Sequence, residues 1–189
     1  MLAFDLETTG LNPKEDLVTC AAVFDPAAGV SRVFFFVRLD EAGHLVPVLD
    51  EAEEFMNLLD KADRICAFNG ARFDLPFIRY QLRAPVERVM GWRLKLHDVF
   101  EACKLALGVT FPLQKLLELN GLEGKTGSGL TAIQLARDGD MQALGEYCLN
   151  DTRVTHAVSS RTHIRLPNTH GLSMTADGQF EQETPQFTV

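Results

Sequence analysis

The chain has 189 residues, 46% of them hydrophobic and 23% charged, and 18 basic against 26 acidic residues give a net charge of -8. That length and apolar fraction suit one globular α/β domain with a core of its own and exclude a collagenous, low-complexity or wholly disordered chain. No apolar run approaches the roughly 18 residues of a membrane span, and the acidic average on its face argues against nucleic acid as a partner.

Met1 leads straight into an apolar strand with no basic and apolar leader, so an intracellular location is expected. Residues 1–6 (MLAFDL) and 17–24 (LVTCAAVF) read as strands, separated by Thr8-Thr9-Gly10 and Asn12-Pro13. Residues 30–38 (VSRVFFFVR) read as a third, so the domain opens as an antiparallel meander. From Asp50 the spacing turns helical, with Glu51, Glu53 and Glu54 in the first turn and Phe55, Leu58 and Leu59 on one face. Residues 64–68 (RICAF) then form a short buried strand. Helices are predicted over 73–82, 98–107, 112–122, 130–137 and 141–163, with a strand over 93–99 and a glycine-rich loop over 121–129. Strands first and helices later describe a mixed central sheet flanked by helices. Residues 167–189 contain Asp177, Glu181 and Glu183, no Lys or Arg and few large apolar residues, so the domain is placed at 1–166 and the rest is expected to be a flexible acidic and polar tail.

Cys20, Cys66, Cys103 and Cys148 are too far apart for zinc-site spacing, and buried reduced thiols are expected. The carboxylates are more informative. Asp5 and Glu7 stand two apart on the first strand and project from one face. In so apolar a segment they are costly unless paired or bound to metal, or unless the strand end faces water. Asp74 follows the strand RICAF where a helix begins; ends of strands are where sites form in open α/β sheets, although Asp also serves there as a helix cap. Tyr147 and Asp151 share a helical face at i, i+4, a spacing that a surface pair would also show. Together these places supply four carboxylates and one phenol, hard oxygen donors suited to Mg²⁺ or Mn²⁺ and wrong for zinc.

In this combination the sequence resembles the DEDD exonucleases of the ribonuclease H-like fold, from Met1 to about His163. Asp5-Leu6-Glu7 matches the first motif, with Thr8-Thr9-Gly10-Leu11 continuing it. Asn69 to Asp74 matches the second, and FDLPFI is similar to the proofreading domain of family B DNA polymerases. Tyr147 to Asp151 matches the third in its tyrosine form; the histidine form needs His at 146, which is Glu, and His156 lies on the wrong side of Asp151.

The resemblance implies a metal-dependent 3′-to-5′ exonuclease that releases nucleoside 5′-monophosphates. Asp5 would bridge two Mg²⁺ or Mn²⁺ ions, Glu7 and Asp151 would complete one site, and Asp74 would hold the second ion partly through water. Tyr147 would orient the attacking water. Thr8, Leu11, Asn69 and Phe73 match positions near the last nucleotides, although Leu11 and Phe73 also suit a turn and a core. Lys125 in the glycine-rich loop is a candidate phosphate contact; that loop is no P-loop, because position 119 is Leu where the first Gly is needed. The substrate would be a single strand of DNA or RNA with a free 3′ end. DNA repair would need no further partner, whereas proofreading would need a separate polymerase, and a helicase is the other candidate partner; no membrane is involved. A silent nucleic-acid or protein binding module, and an endonuclease on the same fold, are the alternatives.

His97-Asp98 reads as a packed histidine beside a helix cap. Within residues 72–95, Arg72, Arg79, Arg83, Arg88, Arg93 and Lys95 outnumber Asp74 and Glu87, a candidate strand-binding face or a solvated helix surface. The net charge therefore does not exclude nucleic acid, since half of it equals the four motif carboxylates.

Overall fold

The computed structural model describes residues 1–108, 110–124, 127 and 129–166, and the backbone of 172–175 and 180–182. In chain order the elements are β1 (Leu2–Thr8), β2 (Val18–Asp25), β3 (Val30–Phe35), β4 (Val37–Leu39), β5 (Leu45–Pro47), α1 (Ala52–Lys61), β6 (Ile65–Ala67), α2 (Asp74–Gln81), α3 (Val86–Lys95), β7 (Leu96–Asp98), α4 (Val99–Leu107), α5 (Leu113–Leu119), α6 (Gly129–Asp138), α7 (Met141–Ser159), β8 (His163–Arg165), β9 (Leu172–Thr175) and β10 (Phe180–Gln182).

The main sheet runs β3-β2-β1-β6-β7. Its first three strands are the antiparallel meander expected from the sequence, while β1 with β6 and β6 with β7 pair in parallel. The strand β1 is therefore central and covered on both faces, which is why it reads as an apolar run rather than an alternation. On one face Phe4, Leu6, Phe34, Phe55, Leu59, Phe77 and Trp92 form the largest core cluster. On the other, Cys20, Ala22, Ala132, Ala136, Leu144 and Cys148 bring α6 and α7 against the sheet. Small side chains let α7 approach closely: a Cβ at Gly145 would stand 3.0 Å from the Phe35 ring. A third cluster joins α4, α5 and the end of α7 through Val99, Leu116, Leu117 and Val158.

Several predicted boundaries move. The run 30–38 divides into β3 and β4 at Phe36, which is fully buried and donates its amide to Thr19 O. The helix α3 covers residues 86–92, to which the sequence reading gives no element, and the start of the predicted strand, so Arg93 and Lys95 are helical and the strand begins only at Leu96. Trp92 is its one buried residue, whereas Val86, Met90 and Leu94 are exposed. Polar anchors hold it instead: Trp92 Nε1 donates to Asp60 at 2.7 Å and Arg88 pairs with Glu53 and Asp60. The helix predicted over 141–163 stops at Ser159, and His163 opens β8. That strand pairs antiparallel with β9, and β9 with β10, which lie within the segment read from composition as a flexible acidic and polar tail.

Candidate active site

The site begins on β1. Register shifts between Glu7 and Thr8, a bulge of the kind that re-aims side chains at a strand end. The turn that follows is tied down locally: Thr8 Oγ1 donates to Gly10 O at 2.6 Å, and Asp16 accepts from the Asn12 amide at 2.8 Å. A Cβ at Gly10 would lie 2.4 Å from Asp16 Oδ2, so a side chain there would displace the carboxylate that holds the turn. This turn lifts Leu11 away from the core, leaving it 84% exposed.

The second segment leaves β6 through a backbone that few residues accept. Asn69 is left-handed at φ 68, a conformation that Asn tolerates better than other non-glycine residues. Gly70 sits so close to β6 that a Cβ would be 2.5 Å from the Cβ of Ala67. Asp98, at the end of β7, fixes this loop by accepting the amides of Asn69 and Ala71, both at 2.9 Å, while capping α4 through the Glu101 amide at 3.2 Å. The capping role is as expected from the sequence; the loop contacts were not foreseen. The available signal was the position of Asp98 at the C-terminal end of a neighbouring parallel strand. The loop delivers Asp74 to the first turn of α2, where it is 2% exposed and accepts the Leu6 amide at 3.0 Å.

The third segment is α7, which lays Tyr147, Cys148 and Asp151 against β1 and β2. Asp151 is 2% exposed, and Cys148 Sγ donates to Asp5 O at 3.6 Å. Burial raises the Tyr147 phenol far above its usual pKa, and the charges of Asp151, Glu7 and Asp5 add to the shift, so it is neutral throughout the physiological range.

These segments, far apart in sequence, meet in one cleft of about 470 Å³. Asp5, Glu7, Asp74, Tyr147 and Asp151 line it, as do Thr8, Leu11, Asn69 and Phe73. Phe73 does both jobs open to it, facing the cleft and packing on Phe77 with ring centroids 4.9 Å apart. Lys125 lies outside the described residues. Phe68, Leu130 and Ile133 also line the cleft and were missed from sequence, where apolar residues without a motif carry no such signal. Leu130 is 78% exposed, so two bare leucines, Leu11 and Leu130, stand at the cleft.

Four like-charged groups gathered in a partly buried cleft repel one another, and the chemistry of the donors indicates what would relieve this. Carboxylate oxygens suit Mg²⁺ or Mn²⁺. A ligand oxygen from each of Asp5 and Glu7 and the Cys148 sulfur lie within 4.8 Å of one another, but the thiol is turned to the Asp5 carbonyl and the oxygens dominate the set. The residues present fit a divalent ion.

A profile of the RNase_H superfamily matches residues 2–128. The chain belongs to that superfamily. A search of curated proteins finds no match. Among solved structures, the RNase H fold of this chain is similar to a family B DNA polymerase from the hyperthermophilic archaeon Pyrobaculum calidifontis, with a TM-score of 0.61, 17% identity, and coverage of 84% of this chain and 24% of that one. It is similar too to E. coli exonuclease I in complex with a dT13 oligonucleotide, with a TM-score of 0.51, 19% identity, and coverage of 85% of this chain and 41% of the other. The chain thus spans about a quarter to two-fifths of these neighbours' length, and the likeness is one of fold. Among the described residues no helix is long and apolar enough to cross a membrane.

Proposed function

We propose that this RNase H superfamily protein is a metal-dependent nuclease of the DEDD type, tyrosine branch, which removes nucleotides from the 3′ end of a nucleic-acid strand. One observation carries this: Asp5, Glu7, Asp74 and Asp151, from three separate segments, line a single cleft together with the Tyr147 phenol. The fold shared with a DNA polymerase and with exonuclease I supports it.

Asp5, Glu7, Asp74 and Asp151 would hold the divalent ions. When bound, such ions activate water and neutralise the charge that develops on the leaving oxygen of an in-line phosphoryl displacement. The protein's own part is to position. Asp74, fixed to the Leu6 amide, keeps the α2 carboxylate in register with those of β1. Tyr147, held neutral, keeps its proton as a hydrogen-bond donor and orients the attacking water without contributing a charge. Phe73 and Asn69 flank the terminal nucleotide on one side, and Leu11 and Leu130 offer apolar surface to its base. Contact with a base through its face is sequence-tolerant, which suits an enzyme that must remove any nucleotide it meets.

Purified protein with Mn²⁺ or Mg²⁺ is expected to shorten a 5′-labelled oligonucleotide stepwise, and Asp5→Ala to abolish this. DNA and RNA run side by side identify the substrate. Binding of both without cleavage in any metal would overturn the enzymatic assignment in favour of a binding module.

A further inference from the structure

The basic run over residues 72–95 is mostly consumed inside the protein. Arg88 pairs with Glu53 and Asp60, Arg93 pairs with Glu101, and Lys95 Nζ donates to the carbonyls of Asp60 and Ala62. Arg79 lies against the ring of its neighbour Tyr80. Arg83 is exposed without an ion pair, and so, among the described residues, is Arg72. Arg72 lines a cleft of about 500 Å³ with Glu101, Lys104 and Leu105. Lys104 is likewise exposed and without an ion pair, while the Glu101 charge is balanced by Arg93 at 2.6 Å, so the cleft is left cationic. Leu105 is 90% exposed, an apolar side chain with nothing to cover it among the described residues.

The position of this cleft decides its use. Arg72 lies in sequence between Asn69 and Phe73, both of which line the acidic cleft. The opposite wall is α4, fastened to the same loop through the bonds from the Asn69 and Ala71 amides to Asp98. The helix rises about 9 Å from Asp98 to Lys104, so the cationic cleft is built on the same loop that supplies Asn69 and Phe73 to the acidic one.

We propose that this cleft is a second binding site for the substrate strand, in which Arg72 and Lys104 each bind a backbone phosphate upstream of the bond that is cut and Leu105 receives the face of an unpaired base. It rests on the nuclease reading above. Two cations at intervals along a groove with an apolar platform are the elements of sequence-independent single-strand binding. A base stacked within a duplex would present no face to Leu105, so the site favours single strands.

The test compares wild type with Arg72→Glu, Lys104→Glu and the double variant, using Lys61→Glu, far along α1, as the charge-reversal control. Binding of a labelled oligothymidylate and an oligoadenylate of about a dozen nucleotides is measured by fluorescence anisotropy in EDTA, where nothing is cut, across a salt series. Each single variant is expected to weaken both oligonucleotides alike, by about tenfold for the double variant, and to lower the salt slope by roughly 0.7 per lost phosphate contact. With metal, the ratio of kcat/KM for the long oligonucleotide over that for a dinucleotide should fall by a similar factor. Unchanged affinity and salt slope in the double variant, or failure of the wild type to bind either oligonucleotide, would overturn the second site. Charge-sensitive binding by a protein that cleaves nothing would instead support this site while removing the nuclease reading.

Discussion

The carboxylate of Asp74 accepts a 3.0 Å hydrogen bond from the backbone amide of Leu6, the residue that stands between Asp5 and Glu7. A bond across 68 positions of sequence thus ties the second acidic segment to the first, and it is buried.

Asp74 therefore has a structural and a chemical part, which substitution separates. Asn keeps an oxygen for the Leu6 amide but loses the charge; Ala leaves that amide unsatisfied, at a cost of about 1–3 kcal/mol. Asp74→Asn is expected to be inactive with near wild-type stability in urea, and Asp74→Ala to be inactive and destabilised by about that amount. In thermal denaturation, Mn²⁺ should raise the Tm of the wild type and much less that of either variant.

The loop that carries Asp74 should be equally sensitive at a distance from the carboxylates. Asp98→Ala removes acceptors for the Asn69 and Ala71 amides and the cap of α4, so a loss of about 2 kcal/mol or more is expected in chemical denaturation. Gly70→Ala forces a Cβ against Ala67 and should cost about 1–3 kcal/mol. Both variants should weaken metal binding by calorimetry although neither residue is placed among the ligands.

Much of this was legible in the sequence because the decisive residues follow local rules. The meander, Asp5 and Glu7 on one strand face, and Tyr147 with Asp151 on one helical face all depend on short-range periodicity. What the sequence did not reveal is long-range. The role of Asp98 depends on β7 lying beside β6, and the role of Leu130 on α6 reaching the cleft. The helix α3 is secured by Trp92 and by ion pairs to α1, partners distant in sequence that no local pattern announces.

Leu11 and Leu130 are exposed at the cleft, so covering them would contribute to binding and not to the chemical step. Leu11→Ala and Leu130→Ala are each expected to raise KM by roughly fivefold, about 1 kcal/mol, with kcat little changed. Steady-state kinetics on a single-stranded substrate would check this, and a fall in kcat at constant KM would place these residues in the chemistry instead.

The buried thiols predict how stability depends on pH. Burial pushes Cys66 up to about 11 and Cys103 up to about 12. Once unfolded, both ionise near pH 8.5 to 9, at roughly their ordinary value. Between those limits the folded chain keeps protons that the unfolded chain releases, so stability is intact below about pH 8.5 and falls as pH rises, by about 1.4 kcal/mol per unit for each thiol. Urea unfolding from pH 7 to 10.5 should show this decline, and Cys66→Ala should make it shallower, although the variant starts less stable.

Cleavage one nucleotide at a time from a 3′ end is checked by labelling the last internucleotide phosphate of a single strand and separating the first products in the presence of Mn²⁺. The expected first labelled product is the terminal nucleoside 5′-monophosphate, absent with Asp5→Ala. Labelled oligonucleotides as first products would show internal cutting, and an intact strand would show none; either result contradicts the assignment.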